Sequence, residues 1–213
     1  MIFENNSGSY GALGNYSSAA SLTISAKNGS LIDFRGNTAT AGAAILNETS
    51  NIFNFTGDTV RFTNNEATSN GGAIRNSGNM AMNITNLEFL GNKASNKGGA
   101  IYNSGTLSLT NAIFKGNTAY DGGAIENSGT LVISNSIFEE NIANNNAGAI
   151  VNRNGAVATL INTSFYDNKT KWGSGGFTNY GTLNLIADNG LSEFKGNIRT
   201  GDNDFRSLSN GGN

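Results

Sequence analysis

No histidine and no cysteine occur among these 213 residues, so imidazole catalysis, the commonest metal ligand, disulfide staples and thiolate metal sites are all removed. The groups left that could do chemistry are carboxylates: Asp33, Asp58, Glu88, Asp121, Glu126, Glu139, Glu140, Asp167 and Glu193. To cleave a polysaccharide they would have to cluster on one exposed face, together with calcium or a basic Arg or Lys. They do not recur at one spacing, and adjacent Glu139 and Glu140 are expected to point to different sides of a strand or turn. Solvated surface charge is the expectation. No catalytic, cofactor-binding or metal-binding residue is assigned, and the chain reads as a non-enzyme.

A binding role has more to work with. Lys169-Thr170-Lys171-Trp172-Gly173-Ser174 carries the single tryptophan of the chain beside two lysines. An exposed indole there can stack on sugars or anchor a protein contact. The competing reading has the ring folded over an edge of the protein to cover the core.

The elements that position these residues come from a repeat. Phenylalanine recurs at Phe3, Phe34, Phe62, Phe89, Phe114, Phe138, Phe165 and Phe194, at intervals of 31, 28, 27, 25, 24, 27 and 29 residues. Three residues after each stands an asparagine: Asn6, Asn37, Asn65, Asn92, Asn117, Asn141, Asn168 and Asn197. A second asparagine column runs through Asn15, Asn47, Asn76, Asn103, Asn127, Asn152 and Asn179. Two residues before each of those lies an apolar side chain, from Leu13 and Ile45 to Ile150 and Phe177. Segments such as Gly105-Thr-Leu-Ser-Leu-Thr110 alternate at period two, the signature of a half-buried strand. Met80 and Met82, Leu131 and Ile133, and Leu183 and Leu185 fill the same slots in other copies.

Short strands, glycine-asparagine corners and a near-constant period predict an all-β fold: a right-handed parallel β-helix of seven to eight coils, each of 24 to 31 residues with three short strands. Asparagines stacked one coil apart can bond amide to amide, satisfying a buried corner without charge. The residue before each first-column asparagine is dominated by types that accept positive φ, so a left-handed bend is expected there, with Glu140 the exception. The glycine pair ahead of the alanine column allows backbones to approach closely. At about 4.8 Å per coil the rod would be roughly 35 to 40 Å long.

In that frame, Leu46, Arg75, Tyr102, Glu126 and Val151 fall between the apolar residue and the corner asparagine, where they would face outward. Arg75, Tyr102 and Glu126 form a mixed row that is a second binding candidate. The outward slots Thr23, Ala81, Ser108, Val132, Ala158 and Asn184 lack the regular threonine array an ice-binding face needs. The corners carry asparagine where a glycine-rich calcium repeat carries aspartate.

Composition agrees. The chain is 13% charged and 37% hydrophobic with net charge −2, neither basic enough for nucleic acid nor charged enough for disorder. Proline is absent, as expected where a ladder uses nearly every backbone N–H. No segment approaches a membrane span, so direct membrane insertion by this segment is not expected. Residues 1–213 read as one β-helix domain. Phe3-Glu4-Asn5-Asn6 is already a motif, and Asn203-Asp204-Phe205-Arg206-Ser207 falls where another coil should begin. Both suggest a piece of a longer protein, whose exposed terminal coils would favour end-to-end self-association.

Phe62-Thr-Asn-Asn65 with Gly71-Gly-Ala-Ile74, and the copies at Phe89 to Ile101 and Phe114 to Ile125, resemble the polymorphic outer-membrane protein repeat of chlamydiae. More broadly they resemble the β-helical passengers of autotransporters and adhesin-like surface proteins. The resemblance implies export and display on the outer surface, with contact to a receptor or glycan on a host or neighbouring cell. It implies no cofactor. The function expected is a non-enzymatic shaft that mediates adhesion or acts as a spacer; the alternative is a carbohydrate-binding or carbohydrate-active β-helix.

Overall fold

A computed structural model describes residues 1–16, 21–48, 52–188, 190–201 and 208–210. Among them there is no helix, and every strand pairing is parallel between one coil and the next. The chain winds as a β-solenoid with three sheets of eleven, seven and eight strands.

The widest sheet joins two segments that the periodicity treats as separate. Leu22–Arg35, Ile52–Thr63, Asn79–Leu90 and Thr106–Lys115 each run without a break from the alternating segment to the phenylalanine. Only later coils divide it, as in Thr130–Ser134 and Ile137–Glu139. A register shift between Thr110 and Ala112 marks the change, where Asn111 replaces the longer connection of the preceding coil. Asn111, Asn135 and Asn162 stand at this new corner with φ of 54°, 50° and 48°. Asparagine tolerates that left-handed bend, so the corner can sharpen and the coil can shorten.

A second sheet was not foreseen. It consists of two-residue strands directly after the first asparagine column, such as Glu66–Ala67, Lys93–Ala94 and Thr118–Ala119. Alanine points inward, and the preceding residue faces solvent or nearly so. The third sheet holds the isoleucine and second asparagine columns, from Leu13–Asn15 to Phe177–Asn179, and Leu208–Asn210 pairs with the last of these. Residues 203–207, expected to open another coil, lie outside the described residues.

Like meets like inside. All eight column phenylalanines are partners of one another in register, and their rings lie 4.4 to 5.0 Å apart with interplanar angles of 2° to 12°. Strand spacing sets that distance, because rings on paired residues can only stack face over face at the coil repeat. Met80, Met82, Leu107, Leu109, Leu131 and Ile133 fill the rest of the core.

The asparagine corner explains why no other residue appears there. Asn117 donates its backbone N–H and one Nδ2 hydrogen to Asn141 Oδ1, at 3.0 and 2.9 Å. The other Nδ2 hydrogen goes to the Phe89 carbonyl at 2.9 Å. Its own Oδ1 accepts the same pair of bonds from Asn92. Every polar atom of a fully buried amide is thereby used, which aspartate could not do and leucine would leave undone. Glycine has the matching role in the bends just ahead of the third sheet's strands. A Cβ on Gly99 would run into the Gly123 carbonyl oxygen of the next coil, as one on Gly72 would into that of Gly99.

Two expectations need correction. Glu140 is no exception, for it bends with φ 57° like its column mates. The stack fixes the corner, and one strained residue follows its neighbours. Ala158 is not an outward residue: it is buried and pairs with Leu131 and Leu183, which leaves Thr159 in the outward slot.

Candidate functional site

The row Arg75, Tyr102, Glu126 does come together, as neighbours on adjacent strands of the third sheet. It is not the exposed strip that the alternation predicts. Leu46, Glu126 and Val151 are completely buried, while Arg75 and Tyr102 are half-buried. Flanking side chains close over the row. Arg75 is engaged by Glu48 at 3.0 Å, from the position just past the previous corner asparagine.

Around Glu126 the cover is ionic. Arg153 Nε donates to Glu126 Oε1 at 2.6 Å, and its Nη2 reaches Glu126 Oε2 at 3.0 Å and Asp121 Oδ2 at 2.6 Å. Lys97 Nζ approaches Glu126 Oε1 at 3.3 Å. Asp121 Oδ1 accepts from Asn145 Nδ2 and from both the backbone N–H and Nδ2 of Asn146. The Tyr180 phenol donates to Asn146 Oδ1 at 3.0 Å, and the Arg153 guanidinium lies 6.0 Å from the Tyr180 ring centre. Burial acts to lower the Arg153 guanidinium, but the hydrogen bonds and charge of Glu126, then of Asp121, outweigh it and the net shift is upward. Two carboxylates beside a basic group are the raw material of glycan cleavage, yet all four oxygens here are occupied by protein donors. Asp121 and Glu126 are therefore structural partners of Arg153, and neither is the solvated surface charge expected of them.

Other carboxylates are spoken for as well. Glu4 meets Arg35, Arg61 meets Glu88, and Glu66 meets Lys93. Glu139 and Glu140 converge on one ammonium, Lys115, at 3.3 and 3.5 Å, instead of pointing apart. Among the described residues no group of three or more Asp or Glu is placed to hold a metal ion.

The tryptophan segment is half strand. Lys169–Thr170 belongs to the second sheet, with Lys169 outward between Ile142 and Ile198. Thr170 is buried, and its hydroxyl lies 2.7 Å from the Trp172 carbonyl and 2.8 Å from that of Asn145, which pins the bend. Beyond it Trp172 projects and stays 45% exposed, so it is no lid on the core. Lys171 Nζ and the Arg199 guanidinium sit 5.7 and 5.3 Å from its ring centre. An open depression of about 440 Å³ lies alongside, bordered by Lys169, Lys171, Asn144 and Thr200. A second, of about 550 Å³, shares Lys169 but is bordered by Glu140 and Asp167.

Sequence reasoning missed Lys97, Arg153, Tyr180 and Arg199, and took Asp121 for solvated surface charge. A signal for most of the ionic contacts was present: opposite charges one repeat apart, 27 residues for Arg61 and Glu88, for Glu48 and Arg75, and for Glu126 and Arg153.

The family model of the Chlamydia polymorphic membrane protein (Chlamydia_PMP) repeat matches at residues 59–77 and 86–104. No curated protein and no solved structure matches the chain. Each matched stretch spans one phenylalanine, both corner asparagines and the Gly-Gly-Ala-Ile run between them, so what the model captures is the stacking apparatus of a coil. Two successive coils of this solenoid thus match the Chlamydia polymorphic membrane protein repeat.

Proposed function

We propose that the chain is a non-enzymatic shaft of a surface-displayed adhesin or autotransporter passenger, presenting its outer faces to a receptor or glycan on another cell. The observation that carries this reading is the pair of repeat matches on a parallel β-solenoid, since the name of that family puts its members in membranes and the fold supplies an extended support. The placement of charge fits the same role. Among the described residues, Glu4, Glu48, Glu66, Glu88, Asp121, Glu126, Glu139 and Glu140 each bridge to a cation one coil away, across the stacked strands of the shaft.

Labelling of producing cells with an antibody raised against this chain tests the display. Signal on intact cells is expected. Signal that appears only after permeabilisation overturns the reading.

A further inference from the structure

The cations of this molecule are unevenly committed. Lys93, Lys97 and Lys115 each form a salt bridge to a carboxylate, whereas Lys169, Lys171 and Lys195 form none among the described residues. The lysines without a salt bridge belong to the last two described coils, and two of them border the depression that ends at Gly201, next to the exposed Trp172 whose ring Lys171 also approaches. No carboxylate lines that depression, while its neighbour across Lys169 is lined by Glu140 and Asp167. An anionic group is therefore drawn to one side of Lys169 and rejected on the other.

We infer that the depression between Lys169 and Lys171 is a binding site for an acidic glycan, one bearing carboxylate or sulfate groups. Its charge sits between the two ammonium groups, its hydroxyls reach Asn144 and Thr200, and a sugar face lies against the Trp172 indole. The floor favours a glycan over an acidic peptide. It is a row of strands whose backbone donors and acceptors are taken by neighbouring coils, so a peptide backbone finds no ladder to extend and only side chains are left to recognise a ligand. A shallow surface with an indole, two ammonium groups and neutral polar atoms matches a sugar ring with flat C–H faces and negative substituents. Thr170 holds this arrangement open by fixing the Trp172 carbonyl from inside.

The inference deepens the adhesive reading and rests on it only for where the glycan comes from. It is tested in solution by intrinsic fluorescence, because the single tryptophan reports from the site itself. The probes are a sulfated heparin hexasaccharide, a neutral dextran oligosaccharide and a poly-glutamate peptide of equal charge. Saturable change with the hexasaccharide, weakened by salt, about tenfold weaker in Lys169→Gln/Lys171→Gln and unaltered in Lys93→Gln, is expected. Trp172→Phe, followed by calorimetry, is expected to weaken binding as well. No saturable change, equal loss in Lys93→Gln, binding of dextran, or poly-glutamate binding as tight as the hexasaccharide overturns the site. Intact-cell labelling is untouched by these results, so the display reading stands or falls separately.

Discussion

A buried amide that uses both its hydrogens and accepts two bonds has no tolerant substitute. Asn117→Asp keeps the oxygen that serves Asn92 but turns the other position into a second oxygen facing the Phe89 carbonyl and Asn141 Oδ1. Burial and those acceptors raise the carboxyl of the folded variant above its unfolded value. Stability is then greatest below the unfolded pKa and is lost as pH rises through the folded one. Urea unfolding of Asn117→Asp should show a deficit of at least about 3 kcal/mol at neutral pH that narrows on acidification. A deficit independent of pH would contradict the assigned bonds. Glu140 tests the corner in the opposite sense. Glycine removes the cost of a left-handed bend, so Glu140→Gly should raise stability by about 0.5–1 kcal/mol in the same assay, even though it gives up the exposed contact with Lys115.

The outer row of the third sheet shows how much a side chain's environment depends on its neighbours. One slot holds Leu46 and Val151 as well as Glu126, all completely buried. Period-two alternation predicts that the slot points away from the core, and it does so. What alternation does not carry is the cover: Arg153 and Lys97 come from other coils, and whether they reach across depends on loop geometry between the columns. Arg153→Met should cost about 3–5 kcal/mol by leaving Glu126 and Asp121 short of their main partner. Adding Glu126→Met should restore most of it, since apolar residues already occupy this slot elsewhere; urea titrations of the single and double variants check both values. The phenylalanine and asparagine columns were legible in the sequence because each is one residue type at one interval. The alanine strands after the first asparagine were hidden by their length of two residues, and the joined wide sheet by turn residues between its halves, such as Asn28-Gly29 and Gly57-Asp58, which read as a break although the strand runs through them. The site was legible in part. Lys169, Lys171 and Trp172 stand out by composition, but Arg199 lies in the next coil and joins them only through stacking.

Seven steps along the phenylalanine column at about 4.8 Å give the described stack a length near 34 Å. Coils in such a stack have neighbours on two sides only, and identical side chains meeting at each level tie the stability of one coil to the next. Register is thus the claim on which the ladder, the ionic cover and the glycan site all depend. The absence of native cysteine allows it to be measured without background. Ser108 and Val132 are outward partners on adjacent coils, and Thr159 is the partner of Val132 one coil further on. Cα atoms about 4.8 Å apart can be bridged by a disulfide, whereas those two levels apart cannot. Under mild oxidation, Ser108→Cys/Val132→Cys is predicted to form an intramolecular disulfide rapidly, and Ser108→Cys/Thr159→Cys to stay reduced. Equal crosslinking of the two pairs, or crosslinking of the second alone, would contradict the stacked register.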